Sequence, residues 1–598
     1  MGIDFPSKID NSNMRFDAFI NGKVLEGKRT GRLPAMGWNS WNAFGSGNTE
    51  ALTRAMADAL VTLGLDKLGY KYVVLDDGCY KSERIDGKLS NEEVKFPGGF
   101  KALSDYIHSK GLKFGMYNDI GTNLCAGAAV GTCGHEDTDA DSYVDWGVDF
   151  LKIDNCYYLW DNATFSNPEN ARFVFAPRIR GISLDGLEQP VTDARLSGDR
   201  AQFCDGIFVE GIGTFDGTNT GTTPVGLRSS ELVYDISIMD GFEGVFELCV
   251  EYASGRENGV GEWLQVAVEN DSNKGEPHYY YDDLLPPSPD KETFVWSEPI
   301  KIKLEKGQNF VRLMNHRRQE NTLDSYAAML AGLNKAKPGH DIVLSICEWG
   351  KTQPQNWGYK VGDSWRILND ITFRVGSDGN PGFGAWFDKG TPSVTSQYNK
   401  AVVMDEFAGL EKGWNDPDML MIGMDGLSLV QNKTHFTMWC MMNSPLMLGL
   451  DLRRVSVGDE LYNIIANRAL IVLNQDALGI QAKRIWTSVK LEEGVTPDKA
   501  YIEDIDRVDI LAKPLADGSM AISFINVSEA LQKGSFLVSD KYLTKIFGTR
   551  FKNSDKYEVV DLWTGDKWEN STGWFEVSEL QACDNVTILI CGNPRLNN

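Results

Sequence analysis

The sequence predicts an α/β protein: a (β/α)8 (TIM) barrel with a β-sandwich domain inserted in it and an antiparallel β-sandwich domain after it. Three observations predict this. Eight short apolar runs each carry an acid, an aromatic or a Cys at or next to their end, helix-length mixtures of polar and apolar residues separate most of them, and two long stretches replace that rhythm with short strands and Gly, Asn and Asp turns. The implied boundaries are 1–185 and 319–482 for the two parts of the barrel, 186–318 for the insertion and 483–598 for the C-terminal domain.

The eight runs follow in order. They are Met36 to Trp41, Tyr72 to Asp77, Leu112 to Asp119, Leu151 to Cys156, Ile342 to Trp349, Trp365 to Asp370, Trp414 to Met419 and Leu446 to Asp451. Segments such as Glu50 to Gly64 and Phe100 to Lys110 supply the intervening helices. In a (β/α)8 barrel chemistry gathers at the carboxyl ends of the strands, where these polar residues fall.

From Gly186 to about Arg318 helical periodicity fades, and runs such as Gly244 to Tyr252, Trp263 to Val268 and Asn309 to Met314 read as strands. The segment from Asp154 to Glu348 spans 194 residues, far more than one crossover requires, so a whole domain sits in the fourth βα loop. Beyond Ile485 the strand-like runs Gly518 to Val527, Tyr557 to Trp563 and Val586 to Ile590 predict a C-terminal β-domain packed on the barrel.

Composition narrows the function. With 598 residues, 42% apolar and 11% aromatic, the chain can bury several large cores. A net charge of −25 argues against DNA, RNA or an anionic membrane as the main partner. No apolar run approaches the roughly 18 residues of a membrane span. The first residues, Met1-Gly2-Ile3-Asp4, carry no signal core, while ten Cys and six Asn-x-Ser/Thr acceptors, at Asn162, Asn270, Asn432, Asn526, Asn570 and Asn585, favour a secreted glycoprotein whose signal has been removed. The spacing of Cys583 and Cys591 is compatible with a hairpin disulfide. Six His, none in H-E-x-x-H spacing, offer little for a transition metal, and no cofactor is expected; a calcium ion held by oxygens in the insertion stays open.

The candidate chemistry lies at the strand ends. Lys152 and Asp154 share a strand face while Leu151 and Ile153 face the other way, and a carboxylate beside an ammonium stays ionised, as a nucleophile must. Glycosidic cleavage needs a second carboxyl to protonate the departing oxygen. Asp370 fits that part, with Arg366 on the same strand parity to orient it.

These motifs, Met36-Gly37-Trp38-Asn39-Ser40-Trp41, Asp76-Asp77, Gly111 to Tyr117, Trp146 to Cys156, Cys347-Glu348-Trp349, Ser364-Trp365-Arg366 with Asp370, and Trp414-Asn415-Asp416-Pro417-Asp418-Met419-Leu420, resemble the α-galactosidases and α-N-acetylgalactosaminidases of glycoside hydrolase family 27, in the family's order. The resemblance implies a carbohydrate substrate and a retaining mechanism in which Asp154 forms the glycosyl-enzyme and Asp370 acts as acid and then base. It implies that Asp76 and Asp77 bind the 4- and 6-hydroxyls of galactose, Lys152 the 3- and 4-hydroxyls, and Arg366 and Asp418 the 2-hydroxyl side. Trp41 and Tyr117 would line the pocket with Trp349, and a disulfide between Cys125 and Cys156 would form part of its wall. Glu348 in Cys-Glu-Trp resembles the galactose-specific members, where it would crowd an acetamide. One departure is Gly78, which intervenes between the Asp pair and Cys79 and leaves the partner of Cys79 open. The insertion resembles carbohydrate-binding modules of the family 35 and family 6 type, with a spacer or dimer contact as the plainer reading.

Two rivals share the family: an α-N-acetylgalactosaminidase, and a β-L-arabinopyranosidase, against which Asp77 speaks because a pentose lacks the 6-hydroxyl. A catalytically dead sugar-binding protein is the rival from another class, and retention of both Asp154 and Asp370 argues against it. Oligomeric state is not legible.

Overall fold

The computed structural model describes residues 31–592 except 122, 157–176, 198–200, 213–214, 217–227, 230, 255–261, 275–276, 291, 315–317 and 351–352. Eight parallel strands make the catalytic body: β1 (Met36–Asn39), β2 (Tyr72–Val74), β3 (Lys113–Asp119), β4 (Phe150–Asp154), β5 (Val343–Cys347), β6 (Ser364–Arg366), β7 (Trp414–Asp416) and β8 (Leu446–Leu448). They pair in the order β7-β6-β5-β4-β3-β2-β1-β8. Just past β7, the Leu420 amide donates to the Met447 carbonyl at 2.8 Å and Leu420 bridges Leu448, which closes the sheet on itself.

Strand parity decides what faces inward. Val74, Phe150, Val343, Met419 and Met447 form a small cluster within the barrel, whereas Leu151, Ile153, Leu344 and Ile346 belong to the large core packed against the helices. Lys152 and Asp154 share the parity of Phe150 and point inward. Helices α1 (Glu50–Thr62), α2 (Gly99–Ser109), α3 (Glu136–Trp146), α4 (Arg318–Ala336), α5 (Val394–Ala401) and α6 (Leu429–Met441) supply much of the outer layer. Local chemistry starts them: Thr49 accepts from the Leu52 amide, and Ser393 and Ser428 close capping boxes on α5 and α6.

Between β4 and α4 lies an all-β unit. Its five-stranded and seven-stranded antiparallel sheets enclose a core of their own, with Ile179, Ile182, Leu248 and Val250 from one sheet meeting Leu232, Val266, Val311 and Leu313 from the other. This unit starts earlier than position 186: Arg178–Leu184 pairs with Gly244–Ala253 and is central to the larger sheet. Its alternation of Ile179, Ile182 and Leu184 with Arg178, Arg180 and Ser183 is a strand pattern bent by a bulge.

The C-terminal domain opens with Lys483–Thr487, the edge of a six-stranded sheet, and a two-stranded sheet of Gln532–Ser539 and Trp574–Leu580 accompanies it. Cys583 sits in the turn before the strand Asn585–Gly592 and Cys591 near that strand's far end, not across a hairpin, and both are free thiols. The extended stretch from Asn585 to Cys591 alone spans roughly 20 Å, far beyond disulfide reach. Among the described residues, no helix is long and apolar enough to cross a membrane.

Candidate active site

One pocket at the carboxyl ends of the strands is lined by Trp41, Asp76, Asp77, Tyr117, Cys125, Lys152, Asp154, Trp349, Arg366, Asp370 and Asp418, together with Asn42 and Met419. Strands β1 to β7 or the loops that follow them supply every one of these. The disulfide Cys125–Cys156, with Cα atoms 5.2 Å apart, ties the loop after β3 to the end of β4.

Asp154 accepts from the Tyr117 hydroxyl at 3.2 Å and from the Asn155 amide at 3.1 Å. Burial pushes its carboxyl up to about 7, with Lys152 pulling the other way. The Lys152 ammonium is bound elsewhere, to Asp76 Oδ2 at 2.8 Å, and the same oxygen accepts from Asn39 Nδ2 at 2.8 Å. The expectation that Lys152 keeps Asp154 ionised is therefore corrected. Lys152 pairs directly with Asp76, and desolvation dominates at Asp154.

Asp77 is held by backbone donors, Gly78 N and Ala126 N, each at 2.6 Å, and burial pushes its carboxyl up to about 6. Gly78 explains its own place in the motif. It adopts φ +96°, and a Cβ there would lie 2.7 Å from Ser46 Cα, so no other residue fits without displacing backbone. Cys79, whose partner was open, is a buried free thiol.

On the other side, Arg366 is buried and bridges two acids, Asp370 Oδ1 at 2.9 Å and Asp418 Oδ2 at 2.7 Å. Asp418 holds a left-handed backbone, φ 79°, which the Trp439 indole steadies by donating to the Asp418 carbonyl at 2.8 Å. The neighbours of Asp370 are fixed as well. Gln397 Nε2 donates to the Asn369 carbonyl at 2.7 Å and the Ile371 amide to Asp418 Oδ2 at 2.9 Å, while the Asp370 side chain is 55% exposed. A sheltered carboxyl and a solvent-facing carboxyl thus flank one pocket, the pairing that glycosidic cleavage by attack and protonation requires.

A family model described as "Alpha galactosidase A" matches residues 33–170 and 313–476, and one described as "Alpha galactosidase C-terminal beta sandwich domain" matches 506–588. The chain belongs to the alpha-galactosidase family. As such an enzyme it is a family 27 glycoside hydrolase that acts on terminal α-galactosides. It is similar to "Alpha-galactosidase A" of Cellvibrio japonicus, 26% identical over 543 residues covering 90% of this chain and 86% of that one. It is 27% identical to "Alpha-galactosidase" of Oryza sativa over 469 residues, 78% of this chain and 69% of the other. The solved alpha-galactosidase I of Mortierella vinacea shares the fold, with a TM-score of 0.57 at 23% identity over 94% of this chain and 97% of that one. A family 27 β-L-arabinopyranosidase of Geobacillus stearothermophilus also does, with a TM-score of 0.54 at 15% identity over 95% and 97%. The main family match skips 171–312, the stretch that carries the all-β unit.

In this alpha-galactosidase, eleven of the thirteen site residues read from sequence line the pocket. Cys156 stands behind it as the partner of Cys125. Glu348 is completely buried and does not line it, so the crowding argument drawn from Glu348 has no geometric basis here. Val343, Ser345 and Cys347 share the inward parity of β5, and the Cys347 Sγ lies 3.5 Å from Arg366 Nη1; Glu348 has the opposite parity and its charge is felt by Tyr326 of α4. Parity would also have flagged Cys347. Asn39 and Asp119 were missed too. Asp119, level with Asp154 on the neighbouring strand, accepts from the Cys156 and Gly121 amides at 2.6 and 2.7 Å and so anchors the disulfide loop. Asp119, Asp154, Cys125 and Cys156 cluster within 4.8 Å, but both sulfurs are spent in the disulfide, so these four are no metal-ligand set.

Four of the six Asn-x-Ser/Thr acceptors are corrected as well. Asn270, Asn432, Asn526 and Asn585 are buried, and their amides are engaged by Asn309, the Ser428 carbonyl, the Ala530 carbonyl and Thr434. A glycan on any of them is incompatible with this packing. Asn570 is partly exposed, and Asn162 lies outside the described residues.

Proposed function

We propose that the chain is a retaining exo-α-galactosidase in which Asp154 attacks the anomeric carbon and Asp370 protonates the departing oxygen, then activates water. The observation that carries this reading is the pairing in one pocket of a buried carboxyl at the end of β4 with an exposed, Arg-oriented carboxyl after β6. The attack forms the C–O bond of a galactosyl ester on Asp154 as the glycosidic bond breaks, and the leaving oxygen takes the Asp370 proton. Water then gives a proton to Asp370 and its oxygen to the same carbon, freeing Asp154.

Asp76 with Asp77 binds the 4- and 6-hydroxyls in this reading, Lys152 the 3- and 4-hydroxyls, and Arg366 with Asp418 the 2-hydroxyl side. Galactose is favoured over a pentose by Asp77, which stands beside Asp76 in the pocket and suits a 6-hydroxyl. The disulfide fits an oxidising compartment and supports secretion. The inserted unit is read as an accessory carbohydrate-binding domain.

The deciding experiment follows hydrolysis of an aryl α-galactoside by proton NMR. Two displacements at one carbon release α-galactose first; β-galactose as the initial product would refute the double displacement.

A further inference from the structure

A second cleft, of about 530 Å3, lies at the seam between the catalytic body and the C-terminal domain. Phe387, Asp388, Asn399, Tyr501, Glu503 and Asp504 line it. Its barrel side is the long loop after β6, the loop that also carries Asp370, together with α5. Its size falls in the range of small-molecule sites, roughly 300 to 1,000 Å3.

The cleft is rigidly built. The Val394 and Thr395 amides donate to the Ala385 and Trp386 carbonyls at 3.1 and 3.0 Å, and the Trp386 indole donates to the Val527 carbonyl of the C-terminal domain at 2.9 Å. Tyr398 of α5 donates to Asp509 Oδ2 at 3.0 Å, and Arg507 Nη2 donates to Asn399 Oδ1 at 2.6 Å. That bond fixes the amide orientation of Asn399. Asn399 is 3% exposed and lines the cleft, and with its Oδ1 taken by Arg507 the amide has its Nδ2 to offer there as a donor.

The lining selects the ligand class. Two aromatic rings offer apolar surface, Asp388, Glu503 and Asp504 offer acceptors, and Asn399 offers a donor, while Lys389 is the one cation among the lining residues. An anionic ligand would be repelled. Hydroxyl pairs with apolar C–H faces, the surface of a neutral sugar chain, match every group.

The place matters as much. Gln397 of α5 touches the Asn369 carbonyl, next to Asp370, and Thr395, Ser396 and Asn399 of the same helix line the cleft. The cleft and the acid are therefore about one helix diameter apart, roughly 10 Å. We propose that this cleft is an accessory subsite for the neutral glycan to which the scissile galactose is attached, held on the side where Asp370 protonates the leaving oxygen. It rests on the α-galactosidase reading only in naming the ligand as part of the substrate.

The test titrates the intact enzyme calorimetrically with β-1,4-mannohexaose, cellohexaose and maltohexaose, neutral chains that carry no galactose, with and without saturating galactose in the catalytic pocket. At least one chain should bind, and galactose should not displace it. Asn399→Asp keeps the acceptor for Arg507 and removes the donor, and Tyr501→Ala removes an aromatic wall. Each should weaken that binding about three- to ten-fold at an unchanged melting temperature. Failure of all three chains to bind, displacement by galactose, or equal binding in both variants would overturn the subsite. If one variant misfolds, the other decides. Turnover of an aryl α-galactoside by the same preparations reports on the catalytic reading alone.

Discussion

Replacing the nucleophile by its isostere, Asp154→Asn, should abolish turnover and stabilise the folded enzyme. Burial holds the Asp154 carboxyl at about 7 against the pull of Lys152, whereas the unperturbed group ionises at 3.8. A gap of about three pH units at ~1.4 kcal/mol each sets a ceiling of ~4 kcal/mol on the cost of ionising it in place. The pocket admits water, so about half of that, ~2 kcal/mol, is the expected gain. The sign follows from proton counts. Between about pH 4 and 7 the unfolded chain has released this proton and the folded chain has not, so wild-type stability falls as pH rises through that window and levels off above it. Asn carries no such proton, and it can keep the partners Tyr117 and Asn155. The melting temperature of Asp154→Asn relative to wild type should thus be nearly unchanged at about pH 4 and higher by a few degrees at about pH 8, in scans at one heating rate. A difference independent of pH, or a destabilised variant, would refute the reasoning.

Three further outcomes are expected. Asp370→Asn should largely spare the first step for aryl galactosides with good leaving groups and lower turnover of natural galactosides about 10²- to 10⁴-fold; steady-state rates across a leaving-group series check this. Because the Asp370 charge adds to burial in raising Asp154, the acid limb of kcat/KM for the good substrates should also move to lower pH. Replacing both Cys125 and Cys156 by Ser opens a loop of sequence separation 31 and should cost about 3 to 4 kcal/mol, read by thermal or denaturant unfolding. Deleting 178–314, with the cut placed before the strand Arg178–Leu184, should lower the ratio of polymer to aryl-galactoside activity; an unchanged ratio in a well-folded variant would make the insertion a spacer or assembly element.

What was legible in the sequence followed from periodicity, and what was not followed from long-range pairing. Each barrel strand is a short run in which alternate residues must face an apolar interior and a helix layer, and its last residues lie at the pocket, so Asp76, Tyr117, Asp154, Arg366 and Asp418 could be read in one dimension. The first inserted strand was missed because the bulge at Arg180-Gly181 breaks its alternation. Glu348 was misread although the parity of Val343 and Cys347 already turned it outward. The buried Asn residues show the limit of tripeptides. Asn526 donates to the Ala530 and Gln581 carbonyls at 2.8 Å, a role fixed by a chain segment 55 residues away.

The partition of charge in the pocket carries the chemistry further than the inventory of acids does. Both cations already have partners: Lys152 holds Asp76, and Arg366 holds Asp370 and Asp418. Among the described residues no cation pairs directly with Asp154. Asp76, bonded to Lys152 and Asn39, is steadied as an acceptor for sugar hydroxyls. Asp154, held by a phenol and one amide in a desolvated wall, is more basic and so a stronger nucleophile than a salt-bridged carboxylate would be. The same desolvation that makes its ionisation expensive in the resting enzyme is relieved as its charge passes into a bond with the anomeric carbon. Interactions that improve toward the transition state are those that raise kcat. Moving Lys152 onto Asp154 would therefore steady the resting carboxylate and slow the attack.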